Sequence, residues 1–490
     1  PELCETLHCE TIELPLLTGR AASHTGRGFF RGVTPKIFRE KGADEMSGQN
    51  DLTQGNITSM LLRYAGPFVV SNFLQATYNI ADMIIAGHYG GSSYAQSAIG
   101  NSSTVINLLT QVIIGITIGG GVLIGQYYGA KQKKECQETT GSLFTMGLLI
   151  GLGVAIVLFL MANQIMIWMD APALEQSQQY LRICAVGMFF VTVYNAACAA
   201  LRAVGDSKRP FLCVAVSVIL NIILDLVFMA GLNMGVAGAA WATVISQIVS
   251  AIMSVFYLWR EKELFGLCVQ ALKMQGDKVK SVFKVGLPCA VQMSVVSIAW
   301  IVVTTLVNSY DVNVSAASSV TMKISQLAQL FSAAMYSAVS GIVAQCAGAK
   351  DYDRIRKVVH RAIAITLSVT VVLVVIVELT APSLVAIFTP DPETQHYAAI
   401  NVRIDILGQL FFAIFMIYHG LAVGVGNTWF VFFSSFCNCI LARLILAITF
   451  NHFFGLMGLY WACMIAPFVS VPLGFWYEKS NRWMRSIAKD

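Results

Sequence analysis

From Ser59 onward the chain is a succession of long, continuously apolar runs separated by short polar links. Twelve such runs stand at roughly 59–87, 94–129, 138–163, 178–203, 209–231, 235–259, 281–308, 313–347, 357–380, 395–424, 428–451 and 455–477. Each reaches the roughly 20 residues a helix needs to cross a hydrocarbon core. Lipid satisfies no backbone polar group, so a spanning segment is a helix or a strand of a closed barrel. These runs are too long and too continuous for barrel strands. They predict an all-α integral membrane protein of twelve transmembrane helices.

The links test the count, because Lys and Arg favour the cytoplasmic side. Lys131, Lys133 and Lys134 follow the second run, and Arg202, Lys208 and Arg209 surround the turn after the fourth. Arg260, Lys262, Lys273, Lys278, Lys280 and Lys284 follow the sixth, and Lys350, Arg354, Arg356, Lys357 and Arg361 the eighth. Lys479, Arg482, Arg485 and Lys489 close the chain. The odd-numbered links contain neither Lys nor Arg, with Arg182 and Arg403 the nearest exceptions. Both termini are therefore expected in the cytoplasm.

Composition sharpens this. Of 490 residues, 56% are hydrophobic and 12% charged, with mean hydropathy +0.67. A soluble domain carries about 25% charged residues, so a large soluble enzyme, a disordered chain and a nucleic-acid binder are disfavoured. The net charge of +5 reflects the basic links. None of the 12 cysteines forms a C-x-x-C pair, and most lie inside apolar runs, where cysteine packs as a small hydrophobe. The seven histidines show no H-E-x-x-H. No His, Ser or metal-ligand cluster shares one depth, so neither enzymatic activity nor a metal site or cofactor is expected. Residues 1–45 are polar, mixed and without the apolar core of a signal peptide. They are expected to be a disordered, dispensable and non-native extension ahead of Met46.

The chain is also written twice. QYYGAK at Gln126–Lys131 reappears as QCAGAK at Gln345–Lys350, and Pro67 as Pro288. YLRI at 180–183 reappears as NVRI at 401–404, Gly205 as Gly426, and GVAGAAW at 235–241 as GLMGLYW at 455–461. All five pairs are 219 to 221 residues apart. Six spans per repeat is an even number, so the repeats run parallel, related by a pseudo-two-fold axis along the membrane normal. The expected plan is a first lobe at 46–260, a linker at 261–280, a second lobe at 281–478 and a tail at 479–490, with a cleft between the lobes. Gly121, Gly125 and Gly129 share one face of the second span, with Gly115 and Gly119 a further pair, as close helix packing requires.

Ionisable side chains inside spans are costly and mark function. Asp82 lies deep in the first span and Asp225 in the fifth, with Asn221 one turn before Asp225 on the same face. Thr243 lies at similar depth and Asn195 somewhat deeper. Two carboxylates with neutral oxygen donors suit a proton or sodium, or else pin helices by hydrogen bonds. At the repeat offset, Asn221 and Asp225 become Ala442 and Leu446, so the second lobe lacks this group. It holds instead Lys323, Asp405 and Arg443, candidates for the cleft, with Lys323 and Asp405 a suggested pair. Met293, Met322, Phe331, Met335, Phe411, Phe415 and Met416 are core or lipid contacts first and cleft lining second.

YNIAD, LRAVGDSKRPF at 201–211, NIILD and GVAGAAWATVISQ at 235–247 resemble the multidrug and toxic compound extrusion (MATE) family, most closely its bacterial DNA-damage-inducible branch. The resemblance spans about 46–477. It implies two six-helix lobes and export of organic compounds by antiport with protons or sodium, without a cofactor. It places cation binding on Asp82, Asn195, Asn221, Asp225 and Thr243. A monomer in the bacterial inner membrane is expected, with a small organic substrate and membrane lipid as its partners. Lys323 and Arg443 depart from a purely cationic substrate, and leave open a flippase for a lipid-linked or amphiphilic anionic substrate on the same two-lobe plan.

Overall fold

The computed structural model describes residues 51–89, 93–171, 173–266 and 274–487. The expected extension at 1–45 lies outside them. Helices α1 Ile57–Tyr89, α2 Ser93–Gly129, α3 Lys133–Trp168 and α4 Leu174–Ala203 come first. Then follow α5, Lys208–Asp225 continued by the π-helical turn Leu226–Gly231, and α6, Gly235–Arg260. The second half repeats this with α7 Gly276–Asn308, α8 Val312–Gly348, α9 Tyr352–Ala386 and α10 Pro392–Gly424. Helix α11 starts as Thr428–Phe436, passes through the π-helical Cys437–Leu444 and ends within Ile445–Ile465, at the left-handed Gly455. The rest of that segment, with Ala466–Val469 and Ser470–Lys479, forms α12. Among the described residues there is no strand.

Ten stretches among the described residues are long and apolar enough to cross a membrane, and the last, Thr428–Lys479, holds both α11 and α12. Helix α1 is the twelfth. It is more polar because Ser71, Asn72 and Gln75 face a central cleft. Large apolar side chains such as Leu160, Trp429 and Phe453 stand exposed on the outer surface, as lipid contact requires. Polar N-caps start four helices of the second lobe. Asp311, Asp351, Asp391 and Asn427 each accept a backbone N–H at the start of α8, α9, α10 and α11.

The repeat is written into the backbone as well. Left-handed residues recur as Lys131 and Lys350, Gly205 and Gly426, and Gly235 and Gly455. Pro67 and Pro288 sit at matching places inside α1 and α7, each removing one backbone donor.

Leu52 ahead of α1 and Trp483 in the tail pack with the turns after α2, α4, α8 and α10 at one end of the bundle, here the basic end. There the lobes share one hydrophobic core. Leu61, Tyr64, Leu123 and Leu201 pack in the same cluster as Val282, Ile342, Ile417 and Leu421. Toward the opposite end the cores separate, into Ile85, Ile99, Met229 and Val236 in one lobe and Ala317, Val377, Val402 and Ile406 in the other. A shared core at one end and divided cores at the other leave the cleft sealed at the basic end.

The glycines make that seal close. A methyl group on Gly119 would lie 2.5 Å from the Gly286 nitrogen, and one on Gly115 2.6 Å from the Ala290 backbone. Gly125 and Gly129 meet Ala344 and Gln345 of α8, whereas Gly121 meets Ala199 within its own lobe. Lys278 of α7 reaches across to Glu135 of α3 and to the Tyr127 hydroxyl. The tail folds back as Arg482–Ile487, with Trp483 fully buried. The described cysteines are free and, Cys463 apart, buried.

Candidate ion site and central cleft

Asp82 and Asp225 are both buried inside the first lobe, the latter completely. Asp225 closes the regular part of α5, at the start of its π-helical turn, a local widening that recurs at functional positions. The two carboxylates lie within electrostatic reach of each other. Asn221, one turn earlier, bridges two helices. Its amide nitrogen donates to Asp225 Oδ2 at 2.9 Å, and its oxygen accepts from the Thr243 backbone nitrogen at 3.2 Å. The Thr243 hydroxyl donates to Ala239 O at 3.0 Å. Oδ1 of Asp82 and Oδ1 of Asp225 accept no hydrogen bond from a described residue.

Four of the five expected residues therefore come together. Asn195 stands apart. It faces the cleft, and its amide donates to Val191 O of its own helix at 2.8 Å. Two aromatic residues that the sequence did not single out join the group. Tyr78, one turn before Asp82, lies in reach of both carboxylates and close to Thr243. Tyr180 of α4 also lies beside Thr243, with Cys184 next to it. The four-residue spacing of Tyr78 and Asp82 was a usable signal. Nothing in the sequence pointed to Tyr180.

The cleft is a cavity of about 1420 Å³ between the lobes. It runs from Tyr64 and Arg202, near the basic end, to His88 and Phe388 at the other. At its floor the Tyr64 hydroxyl donates to Arg202 O at 2.6 Å. Helix α1 shows it two faces. Ala76, Ile80 and Ile84 line the cavity, while Asp82 and Ile85 turn into the lobe. Asp82 and Asp225 are thus behind the wall, with Gln75, Gln111, Gln326 and Gln329 among the polar groups on it. No carboxylate lines the cavity among the described residues; Lys323 and Arg202 do.

Of the three candidate cleft residues, only Lys323 faces it. Arg443 is buried and Asp405 half-buried in the second lobe, and neither belongs to the lining of this cavity. Asp405 accepts from Ser325 Oγ and, at 3.3 Å, from Gln409 Nε2. Arg443 lies within its electrostatic reach and stacks over Trp300 at 4.4 Å. Asp405 thus has a cation and two donors of its own lobe, which leaves Lys323 no part in holding it. The physical reason is helical register: Ser325, two residues after Lys323, points to the other side of α8. Arg403 pairs with Glu378 at 3.8 Å. Of the Met and aromatic candidates, Met293 and Met416 line the cavity, while Met335 is core and Phe415 packs on His419. Among the described residues no group of three or more side chains has the make-up of a metal site.

Comparison with known proteins agrees with this architecture. The MatE family model matches the chain twice, at residues 67–227 and 288–449, one match per lobe. The probable multidrug resistance protein YoeA of Bacillus subtilis is 30% identical over 355 residues, covering 71% of this chain and 76% of its own. The probable multidrug resistance protein NorM of Thermotoga maritima is 27% identical over 421 residues, covering 84% and 90%. A crystal structure of a MATE protein in complex with MaL6 superposes with a TM-score of 0.84 at 20% identity, covering 90% of this chain and 99% of that one. Two buried polar centres, a cleft between repeated six-helix lobes and a family match in both halves have one explanation: the chain belongs to the MATE family of multi-pass membrane transporters.

Proposed function

We propose that the protein is a secondary active exporter of drug-like organic compounds, driven by a proton or sodium ion that binds at Asp82 and Asp225. The observation that carries this reading is the double role of α1, which holds Asp82 on one face and forms the cleft wall with Ile80 and Ile84 on the other. An ion that neutralises the buried pair changes how α1 packs on α5 and α6, and the same movement reshapes the cleft. Oδ1 of each aspartate, without a protein donor, is where the ion is received. The relatives named for multidrug resistance support the substrate class.

With the basic end in the cytoplasm, by the charge of its links, the described state is open outward. It takes up the ion and releases substrate outside. The ion then leaves inward as the lobes rock. Each bound ion has to prefer one lobe arrangement for the exchange to be coupled. One charge crossing 100 mV is worth about 2.3 kcal/mol, which sustains roughly a fiftyfold substrate gradient. The cations on the cleft wall, Lys323 and Arg202, favour a second reading of the substrate, an anionic amphiphile moved as by a flippase. Flux of cationic, neutral and anionic dyes into proteoliposomes, under imposed proton or sodium gradients, tests both. Export driven by neither gradient refutes the antiport, and uptake confined to anionic amphiphiles favours the second substrate.

A further inference from the structure

The QYYGAK and QCAGAK repeats play no part in the ion site or the substrate cleft, yet they meet at the seam of the lobes. Helices α4 and α10 end in matching turns. The amide of left-handed Gly205 bonds Arg202 O and that of Asp206 bonds Leu201 O, at 3.0 and 3.1 Å. In the other lobe Gly426 bonds Val423 O and Asn427 bonds Ala422 O, both at 2.9 Å. These turns leave the carbonyls of Ala203 and Gly424 for another donor, as the last turn of any helix does. In each case it comes from the opposite lobe. Gln345 Nε2 of α8 donates to Ala203 O at 2.8 Å, and Gln126 Nε2 of α2 donates to Gly424 O at 3.0 Å.

We propose that Gln126 and Gln345 form a reciprocal latch that holds the lobes closed at the basic end and is released when the transporter opens there. Donors and acceptors exchange under the repeat: Gln126 maps on Gln345, and Ala203 on Gly424. Close approach is built in by the third residue after each glutamine. A methyl on Gly129 would lie 2.0 Å from Gln345 O, and one on Gly348 1.8 Å from Gln126 O. Gln345 also ties in the segment ahead of α1, since its Oε1 accepts from Leu52 N at 3.1 Å. The Gln345 bond is buried and the Gln126 bond half-buried while the lobes are closed, and water replaces both on opening, so each biases the equilibrium without locking it. The latch deepens the alternating-access reading proposed above and rests on it.

The test uses cysteine-depleted protein in nanodiscs with spin labels at Lys134→Cys and Lys357→Cys, and electron–electron distances across the seam. Gln126→Met and Gln345→Met each remove the N–H donor at nearly the same side-chain length, the latter together with the acceptor for Leu52 N. Each is expected to raise the open-to-closed ratio at the basic end about fivefold, and the double variant roughly 25-fold. If a Met variant does not fold, Gln126→Leu and Gln345→Leu give the same reading. Unchanged distances in the double variant, or a shift from one glutamine alone, overturn the latch. The distances are read without substrate or gradient, so failure of the latch is separable from failure of antiport, which dye flux in unlabelled protein reports.

Discussion

Substituting Gly119 by alanine tests the seal with a single methyl group. The added carbon would stand 2.5 Å from Gly286 N, 2.6 Å from Val282 O and 2.7 Å from Gly286 Cα. All three are backbone atoms of α7, so no rotamer change relieves the clash, and the helices have to separate by about 1 Å to reach ordinary contact distance. Overpacking of this kind costs about 1–3 kcal/mol. The cost falls on the state closed at the basic end, where α2 and α7 touch, and much less on a state in which they part. The open fraction therefore rises by roughly five- to 150-fold, and the protein melts lower in detergent. Gly153→Ala is the control. No atom lies within 4 Å of its added methyl, and alanine there improves helix propensity by about 1 kcal/mol. Spin-label distances across the seam and melting curves of both variants decide the matter. Should Gly119→Ala melt and open no differently from Gly153→Ala, the seal does not depend on backbone contact between α2 and α7.

Three further outcomes are expected. Asn221→Leu removes a donor from Asp225 and an acceptor from Thr243 N, and loses about 1–3 kcal/mol in a denaturation titration; an unchanged midpoint would contradict the bridging role. Arg443→Met takes away the cation within electrostatic reach of Asp405 and loses about 2 kcal/mol, taking roughly 8 Å and an effective dielectric near 20, while Arg443→Met combined with Asp405→Leu recovers most of it; a neutral single variant would show that the two charges do not depend on each other. Lys323→Gln removes a charge from the cleft wall. At about 8 Å and an effective dielectric near 20 this is worth about 2 kcal/mol, so by binding titration the affinity for a cationic dye rises and that for an anionic dye falls, each roughly thirtyfold, if substrate sits there, and both stay constant if it does not.

Much of the fold was legible in the sequence because lipid imposes a simple code. A run of 20 apolar residues has one backbone solution, and the basic links give its direction. The internal repeat was legible too, and its anchors fall on residues with special backbone demands: Pro67 and Pro288, Gly205 and Gly426, Lys131 and Lys350. Asp82, Asn221, Asp225 and Thr243 stood out because polar groups in spans are rare, and packing gathers them in one lobe. The partners of the second lobe were not legible. Lys323 and Ser325 are two residues apart and face opposite ways, so pairing Asp405 with one or the other depends on a rotation of α8 that composition does not encode. Tyr180 and the glutamine latch were hidden for a related reason, since each acts through a contact made only when distant helices pack.

The proposed exchange requires Asp82 as the port of the driving ion. The direct measurement is uphill dye export in proteoliposomes under an imposed proton or sodium gradient, comparing the unmodified protein with Asp82→Asn. The variant should fold and bind dye, yet lose accumulation against a gradient. Undiminished uphill export by Asp82→Asn would place the driving ion elsewhere.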